Sequence, residues 1–510
     1  MNKRLDLSWA SRMQAAIKTA HFSDAARLYD DALGTGASPN STEILARAWL
    51  YLKKDAAATV AFLLKHRSAR FDEQQLARWH MLLGVGYARM REFSQADAHF
   101  QAAANSRTRS SQLRAELEYH RARRYLIEMR LAEAWSCQAS TSVDSSFTGK
   151  VRSEHLRSFI LNQEERYSDE ARSLIKVLGL IERRKDKVLE EWYWAVHTLA
   201  VLARELPMPE AADVAERALT AAQAWSPDFA VNHFQALKAI GWTKALQGDQ
   251  LNCFRYLRKA QQVAPTAPWA AMVHLDRAYF AQSSGERQWS INEIAAAEEL
   301  VESIDWDATQ NEERVALLLF AELFSGTDAE KASYYIARYN ALDKLRSPLL
   351  HFAFDQRLKA LSDYANGVVR EGKPGFDDAV NDLRAAWSTF DRIGYNWRAG
   401  RAAMHLFKMT GQSRWRRLAV EELKHYEHSW LWTDLSNMSP RGTRTRRAEL
   451  TLSQERIFRM ICDGLSTDAI ARKLGRSKST VRNHLKVVFK AFGVRSRPAL
   501  VALAARRRLI

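Results

Sequence analysis

The sequence predicts an all-α protein in two parts: a long solenoid of helical hairpins and a compact four-helix module at the C-terminus. Three observations predict it. From residue 6 to about 430, apolar residues recur at three- and four-residue spacing among many Ala, Leu, Arg and Glu, while Gly, Pro and strand alternation are scarce. Along that stretch a small residue followed four positions later by a partner residue, usually larger, returns at a nearly constant interval. The last residues, Leu450 to Ile510, replace this pattern with short helices bounded by hydroxyl and Gly residues, and with a concentration of positive charge.

The interval identifies the array. The pairs Ala25/Tyr29, Ala58/Phe62, Ala96/Phe100, Ala134/Gln138, Ala171/Ile175, Ala211/Ala215, Cys253/Leu257, Ala332/Ile336 and Ala379/Leu383 are about 39 residues apart if one degenerate unit lies between Cys253 and Ala332. Small residues let two antiparallel helices approach closely, and large ones fill the groove between neighbours. The unit His80-x2-Leu83-Gly84-x2-Tyr87, then Ala96-x3-Phe100 and Ala103, resembles the tetratricopeptide repeat except for a missing final Pro. A second unit, Ile240-Gly241 through Cys253, Leu257, Ala260 and Pro265, keeps that Pro. The interval exceeds the standard 34 residues, so longer helices or loops are expected. An array of this kind buries its core between neighbouring hairpins and leaves a concave inner surface, the expected seat of a protein or peptide ligand. The aromatic run Trp192-Tyr193-Trp194 is expected to pack between hairpins.

Charge separates the two parts. The chain carries 76 Lys and Arg against 59 Asp and Glu, a net of +17. From Pro440 to Ile510 there are 18 Lys and Arg but only Glu449, Glu455, Asp463 and Asp468, so that segment alone contributes +14. A basic footprint confined to one small module points to nucleic acid. The three cysteines, Cys137, Cys253 and Cys462, are too far apart for a disulfide framework or a metal site. The N-terminus lacks an apolar core segment and no run of eighteen apolar residues occurs, so a cytoplasmic protein without a membrane span is expected. The 14 histidines, among them His21, His155 and His425, are scattered. With no H-E-x-x-H, G-x-S-x-G or phosphate loop, neither an enzyme nor a cofactor is expected. Gly475-Arg-Ser-Lys-Ser-Thr has the wrong spacing for a phosphate loop.

Caps delimit the four helices of the module. Thr451 or Ser453 opens the first, which carries Ile457, Phe458 and Ile461 and stops at Gly464. Thr467 caps a short second helix with Ile470, Ala471 and Leu474, ended by Gly475. Ser477 caps the third, about Lys478 to Phe492, and Ser496 starts a fourth with the apolar stripe Leu500, Val501, Leu503 and Ala504. On the third helix Val481, Leu485, Val488 and Phe492 share one sector and face the module's core. Ser479, Arg482, Asn483, Lys486 and Lys490 share another. A helix with one apolar seam and a face of cations plus an amide fits a groove lined by base edges and phosphates: Arg and Lys favour guanine N7/O6, and Asn pairs with adenine.

Leu450-Thr451, Asp463-Gly464-Leu465-Ser466, Ile470-Ala471, Leu474-Gly475, Ser477-x-x-Thr480-Val481-Arg482-Asn483-His484-Leu485 and Gly493-Val494-Arg495-Ser496-Arg497 resemble the helix-turn-helix of the LuxR/GerE (NarL-type) family. The resemblance implies a bacterial or phage regulator that binds double-stranded DNA. Arg482, Asn483 and Lys486 would read bases, with Lys478, Ser479, Thr480 and Lys490 near phosphate. The fourth helix, through Leu500, Val501, Ala504 and Ala505, would be the dimer contact of a homodimer on an inverted repeat. The chain departs from the family at Gln454, Arg456, Ala469 and Ala491, where acids or a basic residue are common. Phe376 to Gly411 resembles the last repeats of maltose-activator-type regulators, without their nucleotide-binding domain.

The expected domains are residues 1–432 (array), 433–449 (a basic flexible linker) and 450–510 (the helix-turn-helix module). The expected function is transcriptional regulation, with the array sensing a signal or partner and RNA polymerase or a sigma factor as a further contact. The alternative is a tetratricopeptide adaptor whose C-terminal module docks on a transcription protein and not on DNA.

Overall fold

The computed structural model describes most of residues 56–438 and 452–506; stretches such as 183–189, 223–228, 343–351 and 371–375, and nearly all of the first 55 residues, lie outside the description. The described residues hold helices and no strand. Among the described residues, α1 (Ala56–Lys65) is followed by nine hairpins. They are α2 (Glu73–Arg89) with α3 (Phe93–Ala104), α4 (Ser111–Ile127) with α5 (Leu131–Thr141), and α6 (Phe147–Gln163) with α7 (Tyr167–Glu182). Next come α8 (Glu190–Glu205) with α9 (Pro209–Ala221), α10 (Ala230–Leu246) with α11 (Gln250–Gln262), and α12 (Ala267–Ser283) with α13 (Arg287–Val301). Last are α14 (Asn311–Phe324) with α15 (Ala329–Ala341), α16 (Phe352–Val369) with α17 (Phe376–Arg392), and α18 (Asn396–Thr410) with α19 (Ser413–Leu423), followed by a short α20 (Trp430–Asn437).

The sequence interval is a physical feature of these hairpins. In seven of the pairs the small member lies near the start of a second helix and is buried: Ala96, Ala134, Ala171, Ala211, Cys253, Ala332 and Ala379; Ala58, on α1, is half-buried. The degenerate unit is α12–α13, where buried Ser290 takes the small position. The series also continues one hairpin further than the sequence pairs reach, in α18–α19. A Gly on the first helix admits the large residue of the second. A Cβ on Gly84 would lie 2.6 Å from the Phe100 ring, on Gly367 2.5 Å from Leu383 and on Gly400 2.5 Å from Leu423. The Ala25/Tyr29 pair lies outside the described residues.

Five hairpin turns share one construction. A single left-handed residue, Arg91, Met129, Glu165, Gly248 or Gly285, follows the first helix. The next amide then reaches back to a carbonyl five residues earlier, as in Glu92 to Tyr87, Arg166 to Leu161 and Asp249 to Lys244. Three of the five use a side-chain-bearing residue where Gly is favoured. In the aromatic run, Tyr193 is buried and stacks on Phe229 at 4.5 Å, as packing between elements predicts.

One expectation fails. In an open array each repeat touches only its neighbours and the inner face stays free. Here the first helices of the middle hairpins meet the end of the array: α6 contacts α16, α8 contacts α18 and α10 contacts α20. Arg398 on α18 donates from Nε and Nη2 to both oxygens of Glu205 at 2.7 and 2.9 Å, and Glu205, which also pairs with Arg204, is completely buried. Tyr167 packs on Tyr395, Trp242 stacks on Trp397 at 5.2 Å, and Arg392 pairs with Glu165. The array closes on itself, and its last helices fill the inner face of α8 and α10.

Burial alone would raise the Glu205 carboxyl, but Arg204 and Arg398 outweigh it and hold it down at about 2. Beside this seam, burial pushes Glu170 up to about 8, against the opposing hydrogen bond from Asn162. Lys238 and Asp276, both buried, pair at 3.0 Å.

The expected boundary at residue 432 also moves. Ser429 caps α20 by accepting from the Trp432 amide, and Leu431 and Leu435 are buried in the array's core. The array therefore runs to Asn437. Residues 439–449 of the expected linker lie outside the described residues.

Candidate nucleic-acid interface

The C-terminal module consists of α21 (Leu452–Cys462), α22 (Thr467–Lys473), α23 (Lys478–Phe492) and α24 (Arg497–Arg506). Its core joins Ile457, Phe458 and Ile461 of α21, Ile470 and Ala471 of α22, Val481, Leu485 and Val488 of α23, and Leu500 and Ala504 of α24. Gly464 and Gly475 are left-handed and stop α21 and α22. The amides of Leu465 and Arg476 reach back to Met460 and Ala471, so each helix ends abruptly and the next can turn. Ser466, not Thr467, caps α22: its hydroxyl accepts from the Ala469 amide at 3.1 Å. Ser477 accepts from the Thr480 amide at 3.1 Å and Ser496 from the Ala499 amide at 3.3 Å.

This framework fixes which side of α23 faces out. With Val481, Leu485 and Val488 buried, the opposite face presents Ser479, Arg482, Asn483 and Lys486, all exposed. The three base-reading candidates are thus brought together on one open helical face. Thr480 is half-buried and its hydroxyl sits 2.8 Å from that of Ser477, so it serves the cap. Lys478 is engaged in an exposed ion pair with Asp468 of α22 at 2.7 Å, whose hydrogen bond lowers the Asp468 carboxyl. A pair this open to water is weakly held, so Lys478 remains able to move to a phosphate. Lys490 lies in α23, but its side chain is outside the described residues, as is that of Phe492.

Of the residues expected to form the dimer contact on α24, Leu500 and Ala504 are buried in the module's own core, and Val501 is half-buried and packs against it. The side chain of Ala505 lies outside the described residues.

Sequence reasoning missed two features. Val487 is exposed by 43% on the otherwise polar outer face, four residues after Asn483. Its signal is an apolar residue outside the core sector, able to meet a thymine methyl. Arg472, Lys473 and Arg476, at the end of α22 and in the turn, are exposed cations next to α23 in sequence. Among the described residues no His, Cys, Asp and Glu cluster could hold a metal, and no helix is long and apolar enough to cross a membrane.

The family description "Bacterial regulatory proteins, luxR family" (GerE) matches residues 448–504. No curated protein matches the chain. Among solved structures, the chain is similar to a Rap protein complexed with Competence and Sporulation Factor: 10% identity, TM-score 0.34, 82% of this chain and 100% of that one. It is also similar to the APC/C hetero-tetramer Cut9-Hcn1, at 14% identity and TM-score 0.32, covering 96% of this chain and 94% of that one. Yeast Tom70 aligns at 12% identity and TM-score 0.28, covering 87% and 93%. At these scores no function is transferred. Residues 448–504 are a luxR-family helix-turn-helix domain, carried at the end of a tetratricopeptide-like helical array.

Proposed function

We propose that this chain is a DNA-binding transcriptional regulator whose α23 enters the major groove, and whose array senses a protein or peptide partner. The observation that carries the reading is the exposed face of Arg482, Asn483 and Lys486 opposite a buried apolar seam, within a luxR-family domain that lies in the segment, Pro440 to Ile510, contributing +14 of the chain's net +17. Arg482 and Lys486 present donors for guanine N7 and O6, and Asn483 a donor and an acceptor for adenine. Ser479 and Lys478 lie at the start of the same helix, toward the phosphates.

The module acts in pairs on an inverted repeat, with a dimer contact that excludes Leu500 and Ala504. Genome-wide mapping of sites bound by the full chain tests the reading. Enriched fragments sharing an inverted half-site are expected. Capture of a transcription protein with no enriched DNA would favour the adaptor instead.

A further inference from the structure

We propose that the inner wall made by α10, α12 and α18 is a docking site for a tryptophan-anchored helix, filled in cis by α20 and open to a partner helix of the same kind. This rests on reading the array as a partner-sensing module. The wall is aromatic: the Trp430 ring meets Phe280 at 5.1 Å, Tyr279 at 5.8 Å and Trp242 at 6.1 Å, each edge-on. Beside it, Gly248 lets the incoming chain approach so closely that a Cβ there would lie 2.4 Å from the His428 carbonyl oxygen.

Three observations set α20 apart from a permanent part of the core. It has 8 residues, against 17 and 15 in α10 and α18, and it is the last described helix before the DNA-binding module. Its fully buried anchors are only Leu431 and Leu435. Its seat is also imperfectly filled. A cavity of about 40 Å³ remains between His428 and Trp430 on one side and Cys253, Phe254, Phe280 and Ser283 on the other.

Protein interiors are close-packed, so a void under a short terminal helix marks a contact that a better-fitting side chain can improve on. The occupant defines the chemistry of its competitor: an indole followed by leucine at the next and fifth positions. An acid at the fourth position after the indole matches Asp434, whose carboxylate lies in the field of Lys408 and Arg401. A helix with these anchors would release α20, and with it the segment leading to residues 452–506.

A fluorescently labelled peptide of residues 428–438 is titrated into full-length protein, wild type and Trp430→Ala. The site in the wild type is occupied, so apparent affinity is reduced by the small fraction of open molecules. The variant is expected to bind at least about tenfold more tightly than wild type, and a peptide with alanine for the tryptophan is expected not to bind. Equal affinity for both proteins, or binding indifferent to the tryptophan, would overturn the proposal. Hydrogen exchange on the wild type keeps the test open should the variant fail to fold: α20 amides are expected to exchange at least about tenfold faster than those of α10 and α18, and equal protection would overturn it. Neither arm contains DNA, so failure here and failure of DNA recognition are distinguishable.

Discussion

Glu205 and Glu170 show how one buried seam sets two carboxyls apart. Glu205 is ionised among guanidiniums, so removing one leaves a buried charge underpaired. Arg398→Ala should cost about 3–5 kcal/mol in denaturant unfolding, and Glu205→Leu in the same background should recover part of it. A cost below about 1 kcal/mol would contradict the pairing. Glu170 behaves oppositely. It stays protonated in the fold up to about 8, whereas the unfolded chain ionises it near 4.5. Unfolding releases a proton across that window, so this group's contribution to stability is present below 4.5 and is lost as pH rises through 8. Glu170→Gln keeps an acceptor for Asn162 and removes the titration. Its melting temperature should exceed wild type at pH 8, by up to a few kcal/mol in stability, and converge at pH 5; parallel profiles would refute this. None of this was legible in the sequence, because partners 193 residues apart leave no periodic mark.

The hairpins were legible because each repeats one local demand. A small residue on the second helix and a close approach by the first recur at a regular interval. Gly84 is the test of that demand. Gly84→Ala should destabilise by about 1–3 kcal/mol through collision with the Phe100 ring. Gly179→Ala, in a helix with nothing within 4 Å of the new Cβ, should stabilise by up to about 1 kcal/mol. Thermal or urea melts of the two variants should move in opposite directions, and shifts of the same sign would contradict the account. The module's helices were equally readable from their caps and glycines. The errors there have a common origin. Ser466 and Thr467 both carry a cap's hydroxyl, and backbone geometry chooses between them. Likewise the apolar stripe of α24 has the same pattern whether it covers a core or a partner, and the burial of Leu500 and Ala504 in the module's core shows which it covers there. The exposed face of α23 was legible since its apolar seam is regular, while Val487 left only the weak signal of one apolar residue outside that seam.

Closure changes what the whole molecule can do. An open solenoid unfolds by fraying from its ends, with stability summed over neighbours. Contacts between α8 and α18, and the Trp242–Trp397 stack between α10 and α18, link hairpins far apart in sequence. Hydrogen exchange under mild denaturant should therefore show α8, α10 and α18 losing protection together, and independent loss from the C-terminal end inward would refute the linkage. The central claim is DNA recognition by α23. Its most direct test is a fluorescence-anisotropy titration of the full chain and the Arg482→Ala/Lys486→Ala variant against a mapped genomic fragment over a range of salt concentrations. The account predicts that the variant, folded as judged by circular dichroism, loses at least about tenfold in affinity and shows a log–log salt dependence shallower by about one to two. Unchanged affinity with an unchanged salt slope would contradict it.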